Sequence, residues 1–325
     1  MVISGLAGAR NPPCKTYDLG PNPSKPAMLD CEGTASAESG TEPRPPLNAL
    51  SVDVEDWAQA SLDPTLPLTD RFYRNTHRVL ETCAAHGVKA TFFVLGLAAE
   101  KCPRLVNEIQ SAGHEVQCHG YGHRLIFNQS PVQFRADIER AKKLLEDLIG
   151  ETVTGYRAPA FSITRNTLWA LDVLVECGFR YDSSIFPVYM WRYGMARVPR
   201  FPHRLKTPCG AELIEIPVAT LRLGRCTLPI GGGGYYRFLP YRRIRMGVRQ
   251  MNAAGVPATV YLHPHEFDPE ELRELPFAIP RFQRILKGWG RRSVPRKVKA
   301  LLTEFAFGRI DQMIASLGPL IRHSC

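Results

Sequence analysis

Residues 113–123 read GHEVQCHGYGH, and they hold three of the chain's nine histidines. The first six residues after the glycine, HEVQCH, have the length and composition of a short strand. The strand ends on His119, and a glycine-flanked tyrosine leads to His123 four positions later. Upstream, AEKCPRLVNEIQSAG has helical periodicity and a glycine stop. Helix, strand and polar turn form a unit that recurs along the chain.

The recurrence decides the fold class. LNALSVDVEDW (47–57) reads as a strand ending in acids, RFYRNTHRVLETCAAHG (71–87) as a helix and KATFFVLG (89–96) as a buried strand. SPVQFRADIERAKKLLEDLIG (130–150) reads as a helix with Ser130 as N-cap, Pro131 in its first turn and Gly150 as its stop. TVTGYRAP, the helix TRNTLWALDVLVECG, FRYDSS and finally ATVYLH (258–263) continue the alternation. Such alternation means parallel strands joined by crossover helices. At least five strands point to an α/β barrel or a partly closed one. In parallel α/β folds chemistry gathers at the C-terminal strand ends. Asp53, Glu55, Asp56, His119, Arg157, Asp182 and His263 all stand at such ends.

Two histidines four apart in a turn can direct both rings at one point, and neutral imidazole is a common zinc ligand. Alone, HGYGH also suits two surface or core histidines. The acids of VDVED and the distant His263 turn the balance towards a metal site. His114 precedes the strand and is expected to be structural; alternation turns Cys118 away from the ligand side.

VDVEDW, GHEVQCHGYGH, GYRAPAF, YDSS and VYLHPHE occur in the order and rough spacing of the polysaccharide deacetylases, the NodB-homology group of carbohydrate esterase family four. The resemblance covers about residues 47–310. It is nearest to the branch associated with exosortase (PEP-CTERM) exopolysaccharide loci. It implies a distorted (β/α)7 barrel and a metal-dependent amide hydrolase, with Zn2+ first and Co2+, Ni2+ or Fe2+ as other candidates. By the same resemblance Asp53 is the base, His119 and His123 are metal ligands, and Arg157 pairs with the base. His263 is the acid and Asp182 orients it; His265 is the alternative acid. Motif one departs from the common adjacent pair of aspartates, so the third ligand is Glu55 or Asp56. Strand alternation, and the D-x-D form of related members, favour Glu55. Ala160 and Phe161 follow the R-x-P triplet, and the Ala160 backbone is a candidate oxyanion donor.

The domain reading is a disordered segment 1–46, rich in Pro, Gly, Ser and Glu, then a deacetylase domain 47–275 and a basic helical extension 276–325 packed on the barrel. An insertion at about 188–240 carries GGGGYY (231–236), which lacks the marks of a phosphate loop. It reads either as a flexible insertion or as a lid that brings Tyr235, Tyr236 and Arg237 to a sugar.

The chain has 41 basic and 31 acidic residues, a formal charge of +10. Residues 281–299 hold eight basic residues and no acidic one. That run suits a solvated face or peripheral contact with an anionic membrane. Nucleic-acid binding would rest on charge alone and is not expected. Nine cysteines without a C-x-x-C suggest reduced thiols. Neither a secretory signal nor an apolar run of spanning length is visible, so the expected location is the cytoplasm, including the inner membrane face. The expected activity is N-deacetylation of N-acetylhexosamine residues in a bacterial exopolysaccharide or its lipid-linked precursor. A metal-independent, allantoinase-like hydrolase of cyclic amides and a non-catalytic glycan-binding protein are the alternatives.

Overall fold

β1 (Asn48–Val54) is buried along its whole length, as a strand covered on both faces must be. Its alternation divides two environments. Leu50, Val52 and Val54 join the main core under the helices, while Ala49 packs inside the barrel with Phe93, Tyr181 and Ile216. Ser51 and Asp53 share that inner face, further along the strand. The computed structural model describes residues 45–324 except 64, 189–192, 225, 276 and 278. The stretch 1–46, expected to be disordered, lies outside the described residues up to position 44.

The strands that follow are β2 (Thr91–Val94), β3 (Glu115–Cys118), β4 (Gly155–Tyr156), β5 (Tyr181–Asp182), β6 (His203–Lys206), β7 (Glu212–Glu215), β8 (Thr220–Leu223), β9 (Cys226–Pro229), β10 (Thr259–Leu262), β11 (Phe307–Gly308) and β12 (Arg322–Ser324). The main sheet runs β10-β1-β2-β3-β4-β5-β7-β6-β12, with β11 beside β1. From β10 to β7 every pairing is parallel. Crossover helices include Arg71–Ala85, Pro103–Ser111, Pro131–Ile149 and Trp169–Glu176. Pro131–Ile149 has the foreseen ends: Ser130 forms a capping box with Gln133, and Gly150 closes it at φ 69°.

The chain leaving β7 closes the ring. Ile216 N–H donates to Asp182 O at 2.8 Å, and Ala219 N–H to Thr259 O at 2.9 Å. Residues 216–219 thus cross from β5 to β10 and complete a seven-strand barrel by isolated bonds instead of a full ladder. This is the distorted (β/α)7 architecture. The glycine run lies along the same seam: Tyr261 N–H donates to Gly231 O at 2.7 Å. Gly232 has φ 138°, and a Cβ there would fall 1.8 Å from Tyr261 O. The glycines are therefore needed for a close backbone approach and are not a slack insertion.

Beyond residue 276, the helix Val294–Glu304 buries Val294, Val298, Leu301 and Leu302 against the barrel. Ile310 and Met313 of the helix Ile310–Ser316 plug its N-terminal mouth against Ala49 and Phe93.

Candidate active site

Three side chains converge at the C-terminal strand ends. Glu55 Oε2 lies 2.9 Å from His123 Nε2 and 3.6 Å from His119 Nε2. One ligand atom from each of the three falls within 4.8 Å of the others. Local structure aims the rings. His119 Nδ1 is 2.8 Å from Arg157 O, which assigns the proton to Nδ1 and frees Nε2. The turn to His123 passes through Gly120 at φ 77° and is held by Asp137 Oδ2, which accepts from Tyr121 N–H at 2.7 Å. Burial alone would raise the Glu55 carboxyl, but His123, His263 and His119 outweigh it and hold it well below the usual range.

Asp56, the other candidate ligand, is not available. Its carboxylate caps the helix Trp57–Ser61 by accepting from Ala58 N–H at 2.9 Å, and it also accepts from Thr69 N–H at 2.8 Å. An N-cap must point into its own helix, so Asp56 turns from the histidines.

Asp53 is locked by Arg157. The fully buried guanidinium donates from Nη1 to Asp53 Oδ1 and to Ser51 Oγ, each at 2.8 Å, and from Nη2 to Ser183 Oγ at 2.8 Å. Across the site, His263 Nε2 stands 4.0 Å from Asp53 and 3.7 Å from Glu55. Its Nδ1 faces a carboxylate oxygen of Glu266 at 3.5 Å, an ion-pair distance longer than a good hydrogen bond. Burial would lower the His263 pKa; Glu55, Glu266 and Asp53 outweigh it and raise it to about 9. His265 stacks on His263 with ring centroids 4.9 Å apart. Burial, then the neighbouring His263 and Arg291, keep His265 well below the usual histidine range. The protonated ring of the pair is His263.

Asp182 does not touch His263. Tyr181 takes the interior side of β5, so Asp182 projects to the other, where Ser184 hydrogen-bonds it. The carboxylate at His263 is Glu266, three residues further on, which closes a capping box over the 3-10 turn Pro264–Phe267. The sequence signal was present in HPHEF: a proline in the first turn and a glutamate at the third position.

A cavity of about 260 Å³ opens over these groups. Ala160 and Phe161 line it, both in left-handed backbone (φ 50° and 52°), and Phe161 packs edge-on against Tyr261 at 4.9 Å. Such backbone in non-glycine residues costs about 1–3 kcal/mol each and clusters at functional sites. The tyrosines after the glycine run are not walls of the cavity. Tyr236 is fully buried in the core. Tyr235 stands one layer back, its hydroxyl 2.6 Å from that of Tyr193, and Tyr193 is the tyrosine that lines the cavity. Trp57, Arg237, Lys287 and Arg291 also reach the wall, and of these only Arg237 was singled out in the sequence.

Residues 66–181 match the family model "Polysaccharide deacetylase", and residues 183–315 match "Domain of unknown function (DUF3473)". Over 98 residues the chain is 35% identical to a peptidoglycan-N-acetylglucosamine deacetylase of Bacillus cereus, covering 30% of this chain and 36% of that protein. Over 121 residues it is 31% identical to a peptidoglycan deacetylase of Helicobacter pylori, covering 36% and 40%. The chain thus spans about two fifths or less of the length of these relatives. Its fold is shared with a Mycobacterium smegmatis protein described as a "putative polysaccharide deacetylase" (TM-score 0.57, 19% identity, 89% of this chain and 97% of that one). It is also shared with Puue allantoinase (TM-score 0.56, 15% identity, 85% and 94%). With its five motifs in order on this barrel and a family match that spans three of the site residues, the chain carries a polysaccharide deacetylase, or NodB-homology, domain, matched directly over residues 66–181.

Proposed function

We propose that this protein is a metal-dependent N-deacetylase of N-acetylhexosamine residues in a bacterial exopolysaccharide or its lipid-linked precursor. The observation that carries the reading is the placement of Asp53 and His263 on either flank of the Glu55–His119–His123 set. One carboxylate and two oriented imidazoles fit a divalent ion of the zinc type, and these three residues would hold it. A bound ion would polarise the acetyl carbonyl and acidify a water molecule.

The chain's own groups supply the proton transfers. Asp53, fixed by Arg157, accepts the proton from water as the new C–O bond forms. His263, whose charged form is favoured by the Glu266 and Asp53 carboxylates, donates its proton to the amine nitrogen as the C–N bond breaks; acetate and a free amine leave. The backbone N–H of Ala160 is the candidate donor to the developing oxyanion. Trp57 and Tyr193 offer aromatic walls to a sugar ring. The names of the Bacillus cereus and Helicobacter pylori relatives support an N-acetylated glycan as substrate class. The six described free cysteines, two of them exposed, support a reducing compartment. Among the described residues no helix is long and apolar enough to cross a membrane.

Acetate release from a panel of N-acetylated glycans and sugar nucleotides, read with elemental analysis, tests the proposal. Wild type should carry one divalent ion, and Glu55→Ala, His119→Ala and His123→Ala should each lose it, whereas Asp56→Ala should retain most of it. Full occupancy in both histidine variants would overturn the ligand set. Activity that survives complete metal removal would favour the cyclic-amide type of chemistry.

A further inference from the structure

The helix Arg281–Gly288 presents its apolar side to solvent. Phe282 (69% exposed), Ile285 (71%), Leu286 (45%) and Trp289 (58%) follow the i, i+3, i+4, i+7 spacing of a single stripe. A helix of a globular protein turns that stripe to the core. Here none of the eight residues is buried, and it is Gln283, Lys287 and Gly288 that are half-covered. Phe238, itself 46% exposed, stacks on Trp289 with centroids 5.1 Å apart and widens the patch. Arg281 and Arg284 stand exposed beside the stripe, and among the described residues no carboxylate pairs with either.

We propose that this face docks on an anionic lipid bilayer, with Phe282, Ile285, Leu286, Trp289 and Phe238 among the upper acyl chains and Arg281 and Arg284 at the headgroup phosphates. The charge selects this occupant. A bare apolar stripe would suit a protein groove equally well. A stripe of Phe, Ile, Leu and Trp with arginines and no acid on its helix is instead the composition of an interfacial anchor. The +10 charge of the chain adds attraction to the same surface.

The helix is fastened to the active site. Arg237 donates to Leu286 O at 3.3 Å and Lys287 O at 2.5 Å, and Arg237 and Lys287 both line the cavity. Gly290 makes the turn after Trp289 at φ 76°, where a Cβ would fall 2.3 Å from Arg237 O. Docking therefore sets the cavity beside the membrane surface, where a glycan on a lipid carrier would be presented. That last step rests on the deacetylase reading; the docking does not.

Flotation of the full chain with vesicles of phosphatidylcholine, with and without phosphatidylglycerol, tests it. The protein should float with the phosphatidylglycerol vesicles, weakly or not at all with phosphatidylcholine alone, and less as salt is raised. Ile285→Asp, and separately the pair Arg281→Glu/Arg284→Glu, should each weaken binding roughly tenfold or more. Acetate release from a soluble glycan should not change in Ile285→Asp. Wild type that fails to float, or variants that float undiminished, would overturn the proposal. So would a dimer on gel filtration that Ile285→Asp dissolves in a chain that never floats; the face would then belong to a second copy. Flotation without acetate release from any glycan would leave the docking standing and sink the deacetylase reading alone.

Discussion

Glu266 bears directly on His263, the proton donor of the proposed mechanism. His263 sits between Glu55 and Asp53 on one side and Glu266 on the other, so its charged form is favoured from both. Glu266→Gln should therefore lower kcat tenfold or more with little change in KM or Tm. Asp182→Asn should do the opposite, lowering Tm with a smaller effect on turnover, because Asp182 holds Ser184 and not the histidine. Asp53→Asn and His263→Asn should retain the bound ion and lose roughly 10²–10⁴-fold in turnover. Acetate-release kinetics and thermal unfolding on the four variants separate these outcomes. Most of these residues were legible in the sequence for a physical reason. A parallel sheet brings its C-terminal strand ends together, so polar residues at those ends meet whatever their separation in the chain. Strand-end position does not say which way a side chain points, and Asp182 stands at a strand end yet turns to Ser184 and away from the site. Asp56 is ambiguous in the sequence for a related reason: capping is decided by where the next helix starts.

At the scale of elements, barrel strands β1 to β5 and β10 and the crossover helices are legible from apolar runs or periods bounded by turn residues. β6 to β9 were not. Their sequences, HRLK, ELIE, TLRL and CTLP, hold at most two apolar residues apiece, and β9 has no buried position, so too few hydrophobic positions are present to mark a period. The glycine run was illegible for another reason. What selects glycine at position 232 is the backbone of Tyr261, twenty-nine residues away in the chain and in contact only once the barrel closes. Gly232→Ala should then cost about 2–5 kcal/mol, from overpacking and an unfavourable φ together. Urea unfolding measures this; a loss below about 1 kcal/mol would mean that the seam can yield.

For the whole molecule, the two mouths of the barrel differ in what they ask of pH. His114 lies at the end opposite the site, and its Nδ1 accepts from Ala90 N–H at 3.0 Å. Burial, helped by Lys89, lowers its pKa to about 4 from the ordinary 6.5. Below pH 6.5 the unfolded chain takes up this proton while the folded one does not. Stability is thus complete above 6.5 and falls as pH drops towards 4. His203, also lowered to about 4 by burial, adds a loss of the same sign. Denaturant unfolding at several pH values should show a shallower acid loss in His114→Asn, whose side-chain oxygen can accept the Ala90 bond without titrating. An unchanged slope would place the acid sensitivity elsewhere.

The join between the two family matches, after residue 181, has a consequence for ancestry. Glu55 and Asp53 precede both matches; His119, His123 and Arg157 belong to the first. His263, Glu266, the closing glycines and the outward helix all belong to the second. A genetic exchange at that join would part Asp53 from His263, the acceptor and donor of the proposed mechanism, and leave the barrel without its closing seam. An exchange that preserves both the site and the seam must therefore bring in a second half with the same histidine–glutamate pair and the same closing glycines.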